Sequence, residues 1–154
     1  MLEPLKAIFK KLTTHEEELH FEENDHRVAA SALLIHVMYS DGFVKDSEKK
    51  VIHDALQNQY GLGEDELKEL MKVGEKADHD AVDFYTFTSV LKRNLDREGC
   101  KKIVEMMWEV VLADGYVHEL EDTVMWRVAE LLGIETRERV ALRKKAEENL
   151  KNSI

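Results

Sequence analysis

Two pairs of acidic residues with the same spacing are the side chains in this sequence best suited to chemistry: Asp41 with Glu48, and Asp114 with Glu121. Each pair begins and ends an eight-residue segment, and both segments read Asp-Gly-aromatic-Val-x-x-x-Glu. Carboxylate oxygens are the ligands that hard cations such as Ca²⁺, Mg²⁺ and Mn²⁺ prefer. The four residues are therefore candidate ligands of a divalent cation, and neighbouring acids could add oxygens to a shared site: Asp46, Glu119 and Asp122.

The same turns also have a purely structural interpretation. A glycine after the aspartate can take the positive φ that ends a helix. Glu48 and Glu121 come three residues after Lys45 and His118. If those residues are N-caps, each glutamate can accept a hydrogen bond from the N-cap amide. Both interpretations, backbone cap and metal ligand, are open at this point.

A complete EF-hand loop is excluded, although the motif matches its second half. In that alignment loop positions 1 and 3 are Val37 and Tyr39 in the first copy, and Val110 and Leu112 in the second. None of these side chains has a carboxylate, whereas Ca²⁺ takes six to eight oxygen ligands. Any cation at these turns must be held in another way.

Helices are predicted on both sides of each turn. An apolar run precedes each motif, over Ala32 to Tyr39 and Met106 to Ala113, and the helical pattern after it stops at Gly61 or Gly133. This indicates a duplicated helix-turn-helix unit, whose copies must pack together because short helices are marginal alone. We predict an all-α fold, a compact bundle of seven to eight helices built from two pseudo-twofold related repeats. Helices are expected near 28–39, 48–60, 64–73, 84–95, 103–113, 124–132 and 137–149.

Two parts of unequal size are predicted along the chain. Residues 1–24 should form an amphipathic helix and an acidic linker, and residues 25–154 a helical domain with repeats near 28–73 and 103–149. The amino-terminal helix combines an apolar face with three lysines and could contact an acidic partner or an anionic membrane, although it is too short for stable anchoring. Its apolar residues are Leu5, Ile8, Phe9 and Leu12, and its lysines are Lys6, Lys10 and Lys11.

The charge and composition of the chain argue against nucleic-acid binding and against a transmembrane segment. A formal net charge of −10 opposes binding to nucleic acid, because such binding depends on neutralising phosphates. No stretch offers about 18 consecutive apolar residues, so we expect a cytoplasmic protein without a transmembrane segment. Cys100 is the single cysteine and is expected to be reduced and structural.

No catalytic residues are predicted, because the sequence has no phosphate-binding glycine loop, nucleophile elbow or Cys-His pair. His36 interrupts an apolar helix and is either a metal ligand, a titrating group or a hydrogen-bonded structural histidine. Aromatic and methionine side chains crowd the second copy; most should be core, with a subset exposed for partner binding. They are Met106, Met107, Trp108, Met125 and Trp126.

The duplicated order of apolar helix, Asp-Gly-x-Val-x-x-x-Glu, helix and Gly-Leu or Gly-Ile resembles the TerB family of bacterial tellurite-resistance proteins. The segments that start at Asp25, Val82 and Trp126 are similar to that family too, so the likeness covers Asp25 to Leu142. The sequence departs from the family where His36 stands at the position that is Glu109 in the second copy.

The resemblance implies an all-helical domain of two related halves, a divalent-metal site at the acidic residues, and no established reaction. We therefore predict a non-enzymatic interaction or scaffold module of a bacterial stress response to metal or tellurite, with unknown protein partners. The alternative is a metal-dependent enzyme that uses the same carboxylates.

Overall fold

The computed structural model describes residues 21–22, 25–40, 46–115 and 117–152, without the side chains of Ser47 and Asp114. The predicted helix at Leu5 to Leu12 and the first Asp-Gly turn lie outside these residues. Within them the fold is all-helical and has no strand, as predicted. The helices are α1 (His26–Tyr39), α2 (Asp46–Tyr60), α3 (Glu64–Asp80), α4 (Tyr85–Asn94), α5 (Arg97–Val111), a 3₁₀ helix (Leu112–Asp114), α6 (Glu119–Leu131) and α7 (Thr136–Asn152).

Helices α1 and α5 form the centre of the core and pack on each other. Ten of the side chains of α1 are buried, and they lie on every side of the helix. Its start is fixed by Asp25, whose Oδ1 accepts a hydrogen bond from the Arg27 amide at 2.8 Å. Full burial of a large side chain such as Leu33 or Leu34 stabilises the fold by roughly 1.5–3 kcal/mol. The almost unbroken apolar run of this helix is therefore explained by contacts on most of its sides.

The remaining helices are arranged around this centre in the same order in both halves. Helix α3 packs on α1, and α7 packs on α5. The second helix of each repeat crosses to the other half, because α2 packs on α5 and on the 3₁₀ helix, while α6 contacts α1. Neither repeat is therefore a separate unit, and each completes the core of the other. The pseudo-twofold relation between the two repeats stays a prediction.

Glycines end α2 and α6 as the sequence indicates. Gly61 and Gly133 have φ of 62° and 76°, a left-handed conformation that costs residues with a Cβ atom free energy. After α6, the Ile134 amide donates to the Ala129 carbonyl oxygen at 2.9 Å, which is the long hydrogen bond of a Schellman cap. Leu62 and Ile134 then turn back into the core.

Three helix boundaries differ from the prediction by five residues or more. Helix α3 continues to Asp80 instead of stopping at 73, α5 begins at Arg97 instead of 103, and α6 begins at Glu119 instead of 124. Gly74 weakens the helical pattern of α3, but it is buried because α1 passes too close for a side chain. The earlier start of α5 is fixed by Asp96, whose Oδ1 accepts a hydrogen bond from the Gly99 amide at 2.8 Å.

Candidate functional site

The second acidic turn contains a capping arrangement around Glu121. Gly115 has φ of 77° and ends the 3₁₀ helix, after which α6 begins with His118 as N-cap. The Glu121 side chain is at the third position of α6, and its Oε1 accepts a hydrogen bond from the His118 amide at 3.1 Å. The cap predicted for Glu121 is thus confirmed in this turn.

Glu48 has the same helical position as Glu121, three residues after the predicted N-cap and third in α2. Both glutamates are only 1% exposed. A carboxylate removed from water costs free energy unless hydrogen bonds or opposite charges compensate for it. Such burial is unusual for a residue in the first turn of a helix, since most glutamates there remain in solvent.

The aspartates of the predicted metal site are less well defined. Asp41 lies outside the described residues, and of Asp114 only the backbone is described, at the end of the 3₁₀ helix. Helix α2 packs on this 3₁₀ helix, so the element that carries Glu48 lies against the element that carries Asp114. This neighbourhood is compatible with the hypothesis that the two turns share a site, and the four-residue ligand set stays a prediction.

The described donors do not complete a metal site by themselves. Among the side chains that the structure describes, no three Asp, Glu, His or Cys residues are close enough together to hold a metal ion. Asp46 and Glu119 are exposed, and Asp122 lies 3.9 Å from the Arg143 guanidinium. Six to eight oxygens around Ca²⁺ would therefore require other groups, such as the two aspartates, backbone carbonyls and water.

His36 is held by a structural hydrogen bond. Its Nδ1 is 2.7 Å from Oδ1 of Asp78 on α3, and its ring meets the edge of Phe84 at 4.6 Å between centroids. The side chain is 38% exposed, so it borders the core without lying inside it. Of the interpretations considered for His36, the geometry favours the hydrogen-bonded structural histidine.

A buried acidic residue that sequence reasoning missed lies on α5. Glu105 faces α7, where Lys145 Nζ is 3.3 Å from its Oε2 and Asn149 Nδ2 donates to its Oε1 at 3.3 Å. Nearby, burial raises the pKa of Glu109, with a further contribution from the charge of Glu105. The sequence signal for Glu105 was its position directly before an apolar run. Its partners could not be read from the sequence, because they are on a helix about 40 residues later.

The aromatic and methionine cluster of the second half divides as expected into core and surface. Met106, Met107, Trp108 and Met125 are buried, whereas Trp126 is 49% exposed. Trp126 borders an open groove of about 460 Å³ between the end of α6 and the start of α7. The guanidinium of Arg139 lies 5.7 Å from the Trp126 ring centroid.

The helices described here include none that is long and apolar enough to cross a membrane. The fold defines a class of protein: an all-helical module with one core around α1 and α5, in which a buried glutamate occupies the third position of both α2 and α6. More particularly, the family model described as "Tellurite resistance protein TerB" matches residues 27–144. The chain belongs to the TerB family. No curated protein and no solved structure matches it.

Proposed function

We propose that this protein is a non-enzymatic TerB-family module that makes protein contacts in a bacterial response to metal or tellurite stress. We further propose that it binds a divalent cation at Asp41, Glu48, Asp114 and Glu121. The observation that carries the metal part of the proposal is the near-complete burial of Glu48 and Glu121 at matching positions of the two turns.

Capping and cation binding are compatible at these turns. An ionised carboxylate has about four acceptor positions, so a cap hydrogen bond does not by itself prevent a glutamate from binding a cation. The contact between α2, which carries Glu48, and the 3₁₀ helix, which includes the backbone of Asp114, supports a site shared by both repeats. A cation there would offset the cost of burying negative charge in a chain with a net charge of −10.

The protein-contact part of the proposal is supported by the surface around Trp126. Tryptophan and arginine are enriched among the residues that dominate binding energy at protein interfaces. Trp126 and Arg139 lie side by side at the open groove between α6 and α7. A half-exposed tryptophan next to a guanidinium is a suitable anchor for a partner protein.

Calorimetric titration of chelator-treated protein with Ca²⁺, Mg²⁺ and Mn²⁺ tests the metal site. The key variant is Glu48→Gln with Glu121→Gln, because glutamine can still accept the cap hydrogen bond but is a poorer ligand for a hard cation. The matched control is Glu66→Gln with Glu148→Gln. It removes the same charge from exposed positions, and Glu66 is also third in its helix.

Saturable binding that disappears in the Glu48→Gln, Glu121→Gln variant and persists in the control would support the proposed site. At a cation concentration of 100 times the Kd, wild-type protein should gain about 2.7 kcal/mol of stability. Equal binding by all three proteins, or none by wild type, would contradict the metal site and leave the two glutamates as caps.

A further inference from the structure

An apolar groove of about 610 Å³ lies between α3, α4 and the start of α1. Helix α3 contributes Val73 and Ala77, its C-cap residue Ala81 follows them, and α4 contributes Phe87 and Val90. The loop between the two helices adds Val82, which is 99% exposed at the rim. We call this surface the α3–α4 groove. Its apolar lining is larger than the single exposed side chains that are normal on a protein surface.

The described chain begins in this groove. Phe21 is 3% exposed, lines the groove and belongs to the hydrophobic core, and the Arg27 guanidinium lies 4.4 Å from its ring centroid. Residues 1–20 precede Phe21 directly in sequence. Whatever their conformation, they are tethered at one end of the groove, which gives them a high effective concentration there.

We propose that the α3–α4 groove binds residues 5–12 of the same chain as an amphipathic helix. The helix would be about 12 Å long, a length that a groove between two helices can accept. Residues 13–20 connect it to Phe21, and an extended chain of eight residues spans up to about 28 Å. The connection therefore permits either direction of the helix along the groove.

Chemical complementarity supports this occupant. The apolar residues of the segment recur at helical spacing and match the apolar lining of the groove. Asp80 and Asp83 lie at the groove, together with one basic residue, Lys76. The three lysines of the segment can reach acidic groups at the rim while their stems cover apolar surface.

Thiol alkylation tests whether the groove is covered. Thr86 lines the groove, so a Thr86→Cys variant reports its accessibility, and Val140→Cys on the exposed side of α7 serves as a reference. Helix α7 packs on α5 and the 3₁₀ helix, away from the groove. Cys100 contributes little background because it is buried and burial raises its pKa, which lowers its thiolate fraction.

The alkylation rate of each cysteine is then compared in the full chain with and without Ile8→Asp plus Phe9→Asp. The control is Lys10→Asp, which makes the same change in net charge on the lysine-bearing face. We expect the double substitution to accelerate alkylation at position 86 about tenfold or more, equivalent to about 1.4 kcal/mol of docking free energy, and to leave position 140 unchanged. Lys10→Asp should have a smaller effect.

Unchanged alkylation at position 86 would overturn the proposal. Protection of the cysteine at position 86 that depends on protein concentration would overturn it too, because a second copy would then be the occupant. Protection that appears only with anionic vesicles would also overturn it, because residues 5–12 would then bind a membrane. If the double substitution accelerates alkylation at both position 86 and position 140, hydrogen exchange of amides 5–12 in the unsubstituted chain shows whether the segment is docked. Slowed exchange supports docking, and exchange at the rate of a free peptide contradicts it.

Discussion

The two halves of the molecule hold their third helix against their first helix by different means. In the first half the α1–α3 contact is close and apolar around Gly74, and a short polar contact, between His36 and Asp78, lies at its half-exposed edge. A Cβ atom added to Gly74 would lie 2.7 Å from the Cβ of Ser31. In the second half the α5–α7 contact contains a buried charge, because Glu105 meets Lys145 and Asn149 of α7.

An alignment of the two repeats shows which residues differ. When the Asp-Gly motifs are aligned, Ala32 corresponds to Glu105. The third helices are aligned by the glycines that end α2 and α6. The α3 residues Val73, Gly74 and Ala77 then correspond to the α7 residues Lys145, Ala146 and Asn149. A Glu, Lys and Asn in one half thus replace an Ala, Val and Ala in the other.

The difference shows that the shared order of helices does not depend on one type of packing. The second helices begin at the matching residues Asp46 and Glu119. The interface between the first and third helices is nevertheless close and mostly apolar in one half, whereas in the other half it contains a buried charge with its partners. Substitutions that introduce the residue type of one interface into the other should therefore lower the free energy of unfolding by very unequal amounts.

Ala32→Glu should be the most damaging substitution. It places a carboxylate at a fully buried position against α3, where Val73 and Ala77 stand instead of a lysine and an amide. An uncompensated buried charge costs about 3–5 kcal/mol, a large part of the roughly 5–15 kcal/mol by which a domain is usually stable. Urea unfolding followed by circular dichroism measures the loss.

The reciprocal control is Glu105→Ala, which makes the second half resemble the first. We expect a cost of only about 1–3 kcal/mol, because the Lys145 side chain is 61% exposed and returns to water without its partner. Equal losses for Ala32→Glu and Glu105→Ala would show that the two interfaces do not differ in the way that their side chains indicate.

Gly74→Val should rank second. The added side chain would collide with Ser31 and with Ile35, whose Cδ1 would be 3.3 Å from the new Cβ. Forcing apart two packed helices costs about 3 kcal/mol, partly offset by the higher helix propensity of valine. The counterpart Ala146→Gly should cost about 2 kcal/mol, because glycine has a lower helix propensity and a buried methyl group is lost. A neutral Gly74→Val would mean that α1 and α3 separate easily; thermal unfolding measures both variants.

The fold could be predicted from sequence where a local signal decides it. The apolar run of α1, the positive φ of Gly61 and Gly133, and the order of helices all follow from spacing within a few residues. The end of α3 could not be predicted in this way. Gly74 argues against a helix locally, and only the close approach of α1 makes a glycine favourable there.

The candidate site could likewise be predicted from sequence only where its features are local. The motif predicted that Glu48 and Glu121 follow a turn at the third helical position, and the cap at Glu121 is present. Their burial depends on packing across the repeats, which spacing does not reveal. The pairing of Glu105 with Lys145 was missed for the same reason, since the two residues meet only after α7 packs on α5.

Glu121→Ala should have an intermediate effect and show whether the two turns are equivalent. Loss of the bond from the His118 amide should cost about 1 kcal/mol in chelator-treated protein, whereas Glu121→Gln should retain most of the stability. If Glu48 caps α2 as Glu121 caps α6, Glu48→Ala and Glu48→Gln should give the same pattern in urea unfolding. A large loss with Gln at either position would indicate that the charge, rather than the cap, stabilises that turn.

The smallest expected effect concerns Glu109, the counterpart of His36. Burial raises the pKa of Glu109 above its ordinary value of about 4.3, so the folded state binds its proton more tightly than the unfolded state does. The contribution of this group to stability therefore rises as the pH falls through the folded-state pKa, and it becomes constant below the unfolded-state value.

Glu109→Gln should accordingly stabilise the protein at pH 7 by no more than about 0.5 kcal/mol, since the side chain is only partly buried. This gain should shrink as the pH is lowered towards 4, because the wild-type carboxyl then becomes neutral as well. Unfolding free energies measured from pH 4 to 8 test the trend, with the exposed Glu148→Gln as control. A gain for Glu109→Gln that grows at low pH would mean that the carboxylate is stabilised in the folded protein, with Lys102 and Lys145 outweighing burial.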